Sequence, residues 1–166
     1  MNGEYYNTRN RPLAGGDAEK LATELTIAFS DAIWPHDSPP EDIDVSNALQ
    51  IADELFLVSD ATKKFELPRL MSLAIRIKPS VLRDRLMFLL VEFLDVDFDD
   101  PGGTNDLLKA AKRRAFLGYS NAQALIILQW LGYVKTAFPK IECQDLLTSG
   151  IKYWRIQADD MESKDH

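Results

Sequence analysis

The acidic segment "DVDFDDPGGTND" at 95–106 is the strongest chemical pattern in the chain. Aspartate stands at its positions 1, 3, 5 and 12, where an EF-hand loop places ligands for Ca²⁺. An EF-hand also has glycine at position 6 for its sharp turn and, at position 12, a glutamate that binds through both oxygens. Here position 6 is Asp100 and position 12 is the shorter aspartate. The segment therefore predicts only weak binding of Ca²⁺ or Mg²⁺, with four candidate ligands: Asp95, Asp97, Asp99 and Asp106.

The same segment has a simpler interpretation as a polar connection between two helices. The residues before it, "LMFLLVEFL" at 86–94, are almost entirely apolar, and the segment would connect them to a second apolar helix. Under this interpretation the aspartates keep the connection hydrated, and the protein has no metal or other cofactor. Both interpretations stay open at the level of the sequence.

Nucleophilic catalysis and zinc binding find little support. Cys143 is the only cysteine, and His36 and His166 are the only histidines, so the spacing that zinc sites require is absent. A catalytic Cys–His pair would need Cys143 and His36 to meet across the fold. We expect Cys143 instead to be a small core residue or a helix-start residue. A single cysteine also favours a reducing compartment, and we predict a cytoplasmic protein.

The proline-rich segment "WPHDSPPED" at 34–42 offers a second possible metal site. His36, Asp37, Glu41 and Asp42 carry nitrogen and oxygen ligands in this segment. The alternative is a turn in which short polar side chains bond their own backbone, which is common for aspartate and serine. We favour the turn.

Glu92 is the one carboxylate inside an apolar helical stretch. A buried glutamate has a raised pKa and is suited to acid or base catalysis. Alternatively, Glu92 lies with Asp84 and Asp95 on a thin exposed line of that helix. We favour the exposed line.

The charge of the chain bears on its partners. The net charge is −7: the five aspartates in 95–106 contribute −5 and the acidic tail after Ala158 contributes −3, which leaves the rest of the chain at about +1. A basic protein is therefore the expected kind of partner. Nucleic-acid binding requires a basic face, and the one basic cluster, "KAAKRR" at 109–114, is interpreted as a solvated helix side that carries Lys109, Lys112 and Arg113. The longest apolar stretch is too short to span a bilayer, so no membrane is expected.

Helical periodicity and breaker residues predict an all-α fold, with a single compact domain of six or seven helices and two largely buried central helices. No stretch alternates apolar and polar residues as a strand would. We expect a flexible N-terminal arm at 1–16, a helical domain at 17–157 and a disordered acidic tail at 158–166. The predicted helices are 18–33, one capped by Ser46, a short turn at 59–65, one starting at Pro68, 81–94, 105–116, 121–137 and 142–157. Gly132 interrupts an apolar helix, which predicts close approach of a neighbouring helix there.

Three segments of the chain resemble a family of small bacterial proteins of unknown function. They are "AFSDAIWPHDSPPEDI" at 28–43, "LFLVSDATKKFELPRLM" at 55–71 and "AFLGYSNAQALIILQWLGYV" at 115–134. The corresponding boxes of the family are AF…PGD-like, fLS…YLPAYL-like and F..LS..Q…FL.Y-like. The chain departs from them at His36, at Phe65-Glu66 and at Arg69. The resemblance implies helix starts, caps and core positions, and it implies no activity or site residue.

Three functional hypotheses follow. The first is a non-enzymatic protein–protein interaction module, similar in role to an inhibitor or immunity protein, that binds a basic partner protein. The second is a metal-dependent enzyme or a weak divalent-cation binder that uses the 95–106 segment. The third is nucleic-acid binding through the cluster Lys109, Lys112, Arg113 and Arg114, which the acidic net charge disfavours.

Overall fold

The computed structural model describes residues 15–96, 106–138 and 143–164. The described part of the chain is all-α and contains no strand, which confirms the predicted fold class. Its seven helices are α1 (Gly15–Ala28), α2 (Ala48–Glu54), α3 (Asp60–Arg76), α4 (Val81–Leu94), α5 (Asp106–Phe116), α6 (Asn121–Ala137) and α7 (Gln144–Lys164).

The two central helices are α4 and α6, as predicted. A serine precedes each of them, Ser80 before α4 and Ser120 before α6, and its hydroxyl accepts a hydrogen bond from the backbone N–H three residues on. In α6 the side chain of Gln123 also bonds back to the Ser120 backbone and completes a capping box. Half or nearly half of the residues of each helix are buried, because apolar side chains cover most of the circumference.

Pro68 is not the start of a helix. A single helix, α3, runs from Asp60 to Arg76 with Pro68 in its interior, and Ser59 caps it by accepting from the Thr62 N–H. The prediction followed the preference of proline for the first helical turn. Tertiary packing outweighs that preference here: the buried residues of α3 include Leu67, Pro68, Leu70 and Met71.

Several helix ends also differ from the predicted ones. Asp17 lies inside the first turn of α1 and does not precede the helix. Asn47, not Ser46, is the residue before α2, and Ser46 bonds the side chain of Asp44 instead. The last helix continues beyond the predicted end at 157 as far as Lys164, and Ala158 is buried. The predicted arm lies almost wholly outside the described residues.

Two tryptophans tie the helices together at the centre of the core. Trp130 of α6 and Trp154 of α7 are fully buried, and each indole N–H donates to a backbone carbonyl of another helix. Trp130 bonds the Met71 carbonyl at 3.1 Å, and Trp154 bonds the Leu94 carbonyl at 2.9 Å. Buried tryptophans therefore find hydrogen-bond partners, as their polar N–H groups require.

The prediction of close helix packing at Gly132 is wrong. A methyl group placed on Gly132 would meet no atom within 4 Å. The close approach occurs at Gly150 of α7 instead, where such a methyl group would lie 3.7 Å from Leu131 and 3.8 Å from the Asp95 side chain. Among the described helices, none is both long and apolar enough to cross a membrane.

Candidate functional site

The C-terminal end of α4 is where the acidic segment begins, and two side chains from other helices cap it. The last carbonyls of a helix have no partner inside the helix. Lys112 of α5 donates from Nζ to the carbonyls of Glu92 at 2.6 Å and Asp95 at 2.8 Å. Trp154 donates from its indole N–H to the carbonyl of Leu94, which lies between Glu92 and Asp95 in the sequence. The start of the acidic segment is therefore a closed, hydrogen-bonded helix end.

Lys112 is buried, which corrects the predicted solvated basic face. Its residue is only 8% exposed, and its ammonium lies 5.3 Å from the centre of the Phe56 ring. Burial lowers the pKa of Lys112 to about 8, although the charges of Asp95 and Glu92 act in the opposite direction. Arg113 and Arg114 are exposed. Lys112 is therefore not available at the surface as part of the basic cluster predicted to bind nucleic acid.

Two of the four candidate metal ligands, Asp95 and Asp106, lie among the described residues, and their environments differ. Asp95 is buried, at 4% exposed, and follows α4 directly. Asp106 is exposed and begins α5. Asp97 and Asp99 lie outside the described residues. Among the described residues, no three His, Cys, Asp or Glu side chains gather in a way that could hold a metal ion. Asp95 and Lys112 lie close enough for their charges to interact.

Two other candidate residues, His36 and Cys143, have contacts or burial that indicate a structural role. The imidazole Nε2 of His36 lies 3.0 Å from the Thr62 hydroxyl, and the Thr62 hydroxyl lies 2.9 Å from that of Ser59. This network attaches the 34–42 loop to the start of α3. Cys143 is buried at the start of α7, and burial raises the pKa of its thiol to about 11. A thiol with that pKa stays protonated and is a poor nucleophile.

Glu92 is half-buried. Its carbonyl, and not its carboxylate, carries the bond to Lys112. The predicted exposed line of α4 is correct at Asp84 and wrong at Asp95, which is buried.

The three segments behind the family resemblance meet at one polar network. The Asp31 carboxylate accepts from Gln123 Nε2 at 2.7 Å and from Lys64 Nζ at 3.2 Å. Lys64 also donates to the Gly118 carbonyl at 3.4 Å. Gln123 further bonds the carbonyl of Ala28, the last residue of α1. The network joins the end of α1, the first half of α3 and the start of α6, so these segments have a structural role.

An acidic stretch that the sequence analysis did not identify covers the loop before α2 and α2 itself. Nine Asp or Glu residues and no Lys or Arg occur between Lys20 and Lys63. Six of these carboxylates are exposed and form no ion pair with a described lysine or arginine. We call them the acidic face: Asp37, Glu41, Asp42, Asp44, Asp53 and Glu54.

The loop that carries most of the acidic face is held in place by side chains. Trp34 Nε1 donates to the Ser38 carbonyl, Asn47 donates to the Asp42 carbonyl, and Arg69 of α3 donates to the Glu41 carbonyl. Hydrogen bonds from the Ser46 hydroxyl and from backbone N–H groups lower the pKa of Asp44. The loop part of the acidic face is therefore bonded within itself and attached to α3 through Arg69.

A groove of about 630 Å³ runs between α1 and α3 beside this loop. Apolar side chains supply much of its wall, and the polar side chains include two arginines, each already paired. Arg69 pairs with the buried Glu66 at 3.0 Å, and Arg76 forms two bonds to Glu19 at 2.9 and 2.8 Å. The apolar wall comprises Phe29, Ala32, Ile43, Phe65, Pro68 and Leu73. Asp42 of the acidic face lies at the edge of the same groove.

No family model matches the chain, and no curated protein or solved structure matches it either. The resemblance to small bacterial proteins therefore adds nothing about function. A functional proposal must therefore rest on the surface of the described residues. Two features of that surface support such a proposal: the acidic face and the groove beside it.

The acidic face was detectable in the sequence. The absence of lysine and arginine between residues 20 and 63 is a simple composition signal. The net charge concealed it, because basic residues elsewhere in the chain balance these acids. The groove had no such signal, since it forms between helices that are far apart in sequence.

Proposed function

We propose that the protein is a non-enzymatic interaction module that binds a basic segment of a partner protein. The observation that carries this proposal is the acidic face, with six exposed carboxylates and no described lysine or arginine paired to them. Uncompensated like charges on a surface cost stability and favour a partner of opposite charge. Val45 lies within the same stretch of chain and Leu57 follows it; both are exposed, at 48% and 84%, and add apolar contact area.

Charge matching of this kind accelerates association more than it deepens affinity, and salt screens it. The test uses a fluorescent helical peptide of alternating lysine and leucine pairs, with a glutamate/leucine peptide of equal length as its comparison. We expect the lysine peptide to bind and its affinity to fall as salt is raised, and we expect the glutamate peptide not to bind.

The assignment to the acidic face is tested by a pair of double variants. Asp42→Asn with Asp53→Asn removes two charges from the face, and Asp145→Asn with Asp159→Asn removes two exposed charges from α7. Exposed charge pairs contribute up to about 1 kcal/mol each, so the first variant is expected to weaken binding about threefold to tenfold. The second is expected to change binding less than about twofold. Equal effects of the two variants, or no binding of the lysine peptide at low salt, would contradict the proposal.

Cation binding by the 95–106 segment stays a separate prediction, since Asp97 and Asp99 lie outside the described residues. The check is thermal unfolding with millimolar Ca²⁺ or Mg²⁺ and with a chelator. A ligand that binds the folded state raises the melting temperature. A rise that Asp97→Asn abolishes would support the site. Identical melting in all three conditions would eliminate it.

A further inference from the structure

We infer that the groove between α1 and α3 receives an apolar side chain of the same basic segment. This inference rests on the proposed function and specifies the partner further: its basic residues must alternate with large apolar ones. Residues that dominate binding energy usually fill well-packed pockets from which the surrounding contacts exclude water.

The wall of the groove fits an apolar occupant. Phe65 and Leu73 line it from α3, Phe29 lines it from the turn after α1, and Ile43 lines it from the loop before α2. The volume of about 630 Å³ is in the range of pockets that bury most of a small ligand. It therefore has room for one or two large apolar side chains.

The charges around the groove favour a partner segment in which a lysine or arginine lies next to the apolar residue. Arg69 and Arg76 are already bonded to Glu66 and Glu19, so their charges are compensated. Asp42 is the lining charge without a described cation partner. An apolar residue in the groove would thus bring its flanking lysine or arginine to Asp42 and, along the same loop, to Glu41 and Asp44.

Two threonines allow a matched test of the groove. Thr26 lines the groove on α1, is exposed, and donates its hydroxyl to the Ala22 carbonyl. Thr148 on α7 is also exposed and donates in the same way to the Gln144 carbonyl, but it does not line this groove. Thr26→Trp places a large ring in the groove, and Thr148→Trp makes the same change elsewhere.

The probes are the lysine/leucine peptide and a lysine/serine peptide of equal length and charge. Burial of a leucine side chain predicts that the wild-type protein binds the leucine peptide about 10-fold or more tightly than the serine peptide. We expect Thr26→Trp to reduce that ratio to less than about twofold and Thr148→Trp to preserve it.

Failure of this inference is distinguishable from failure of the proposed function. If the wild-type protein binds both peptides equally and in a salt-dependent way, the acidic face binds a basic partner and the groove inference is wrong. If neither peptide binds at low salt, both are wrong. If sedimentation shows a dimer that Thr26→Trp dissociates, the occupant of the groove is a second copy of the chain, and the inferred partner is wrong.

Discussion

Replacement of Lys112 by methionine is expected to lower the free energy of unfolding by about 3 kcal/mol, because two carbonyls at the end of α4 lose their donor. Hydrogen bonds that involve a charged group contribute about 1.5–3 kcal/mol each, and relief of the buried charge offsets part of that loss. Methionine keeps the apolar stem beside Phe56. The expected fall in melting temperature is about 6–12 °C.

The matched control for this variant is Arg114→Met. Arg114 belongs to the same helix, is exposed, and is expected to change stability by less than about 0.5 kcal/mol. Chemical denaturation of the two variants and the wild type measures the difference. Similar stabilities for the two variants would show that Lys112 does not support the end of α4.

The contribution of Lys112 should also depend on pH. Its pKa in the folded protein is lowered to about 8, against about 10.4 for an ordinary lysine. Between these values the unfolded chain binds more protons than the folded one, so the contribution of Lys112 to stability rises with pH through this window. The neutral amine still has two N–H groups for the two carbonyls.

The stability difference between the wild type and Lys112→Met is therefore expected to grow from pH 7 to pH 10. Tyr119 and Cys143, whose pKa values burial raises, are present in both proteins and cancel in that difference. A difference that is constant over this range would contradict the lowered pKa of Lys112.

Replacement of Gln123 by alanine is the second large effect, with an expected loss of about 3 kcal/mol. Gln123 is 1% exposed and serves two helices at once. Its carbonyl oxygen accepts from the Ser120 N–H at 2.9 Å, and its amide nitrogen donates to the Ala28 carbonyl at 3.0 Å and to Asp31. The substitution removes one half of a capping box and leaves a carbonyl at the end of α1 without its side-chain donor.

Gln129→Ala is the control for this change. Gln129 lies on the same helix, is exposed, and loses the same side-chain atoms, so the difference in helix propensity is shared. Denaturant melts of both variants should place Gln129→Ala within about 0.5 kcal/mol of the wild type. If Gln123→Ala is equally mild, the Ala28–Asp31–Gln123 contacts have no measurable role.

The features that could be predicted from the sequence are those decided within one turn of helix. The serine caps of α4 and α6 and the Gln123 capping box depend on residues three apart, and each is confirmed. The all-α class depends on periodicity, which is also a local property. The position of Pro68 inside α3 was missed because the burial of its neighbours is a tertiary effect.

The capping of helix ends by distant side chains was beyond sequence reasoning. Nothing in "KAAKRR" indicates that Lys112 turns inward to the end of α4, since a lysine on an amphipathic helix is ordinarily placed in solvent. Gln123 was recognised as a local cap, but its bond to Ala28 was not. The burial of Asp95, one of the candidate metal ligands, was also beyond sequence reasoning, because residues of α5 and α7, among them Lys112 and Gly150, pack against it.

The bond from Gln123 to Ala28 has a consequence for synthesis of the chain on the ribosome. Its partners are 95 residues apart, and the bonds of Lys112 and Trp154 to the end of α4 also wait for later segments. The segments of α1 to α4 therefore leave the exit tunnel of the ribosome first. The side chains that cap the ends of α1 and α4, those of Gln123, Lys112 and Trp154, leave it later. Native protection of the N-terminal half is thus expected to be acquired late, when α6 and α7 emerge and dock.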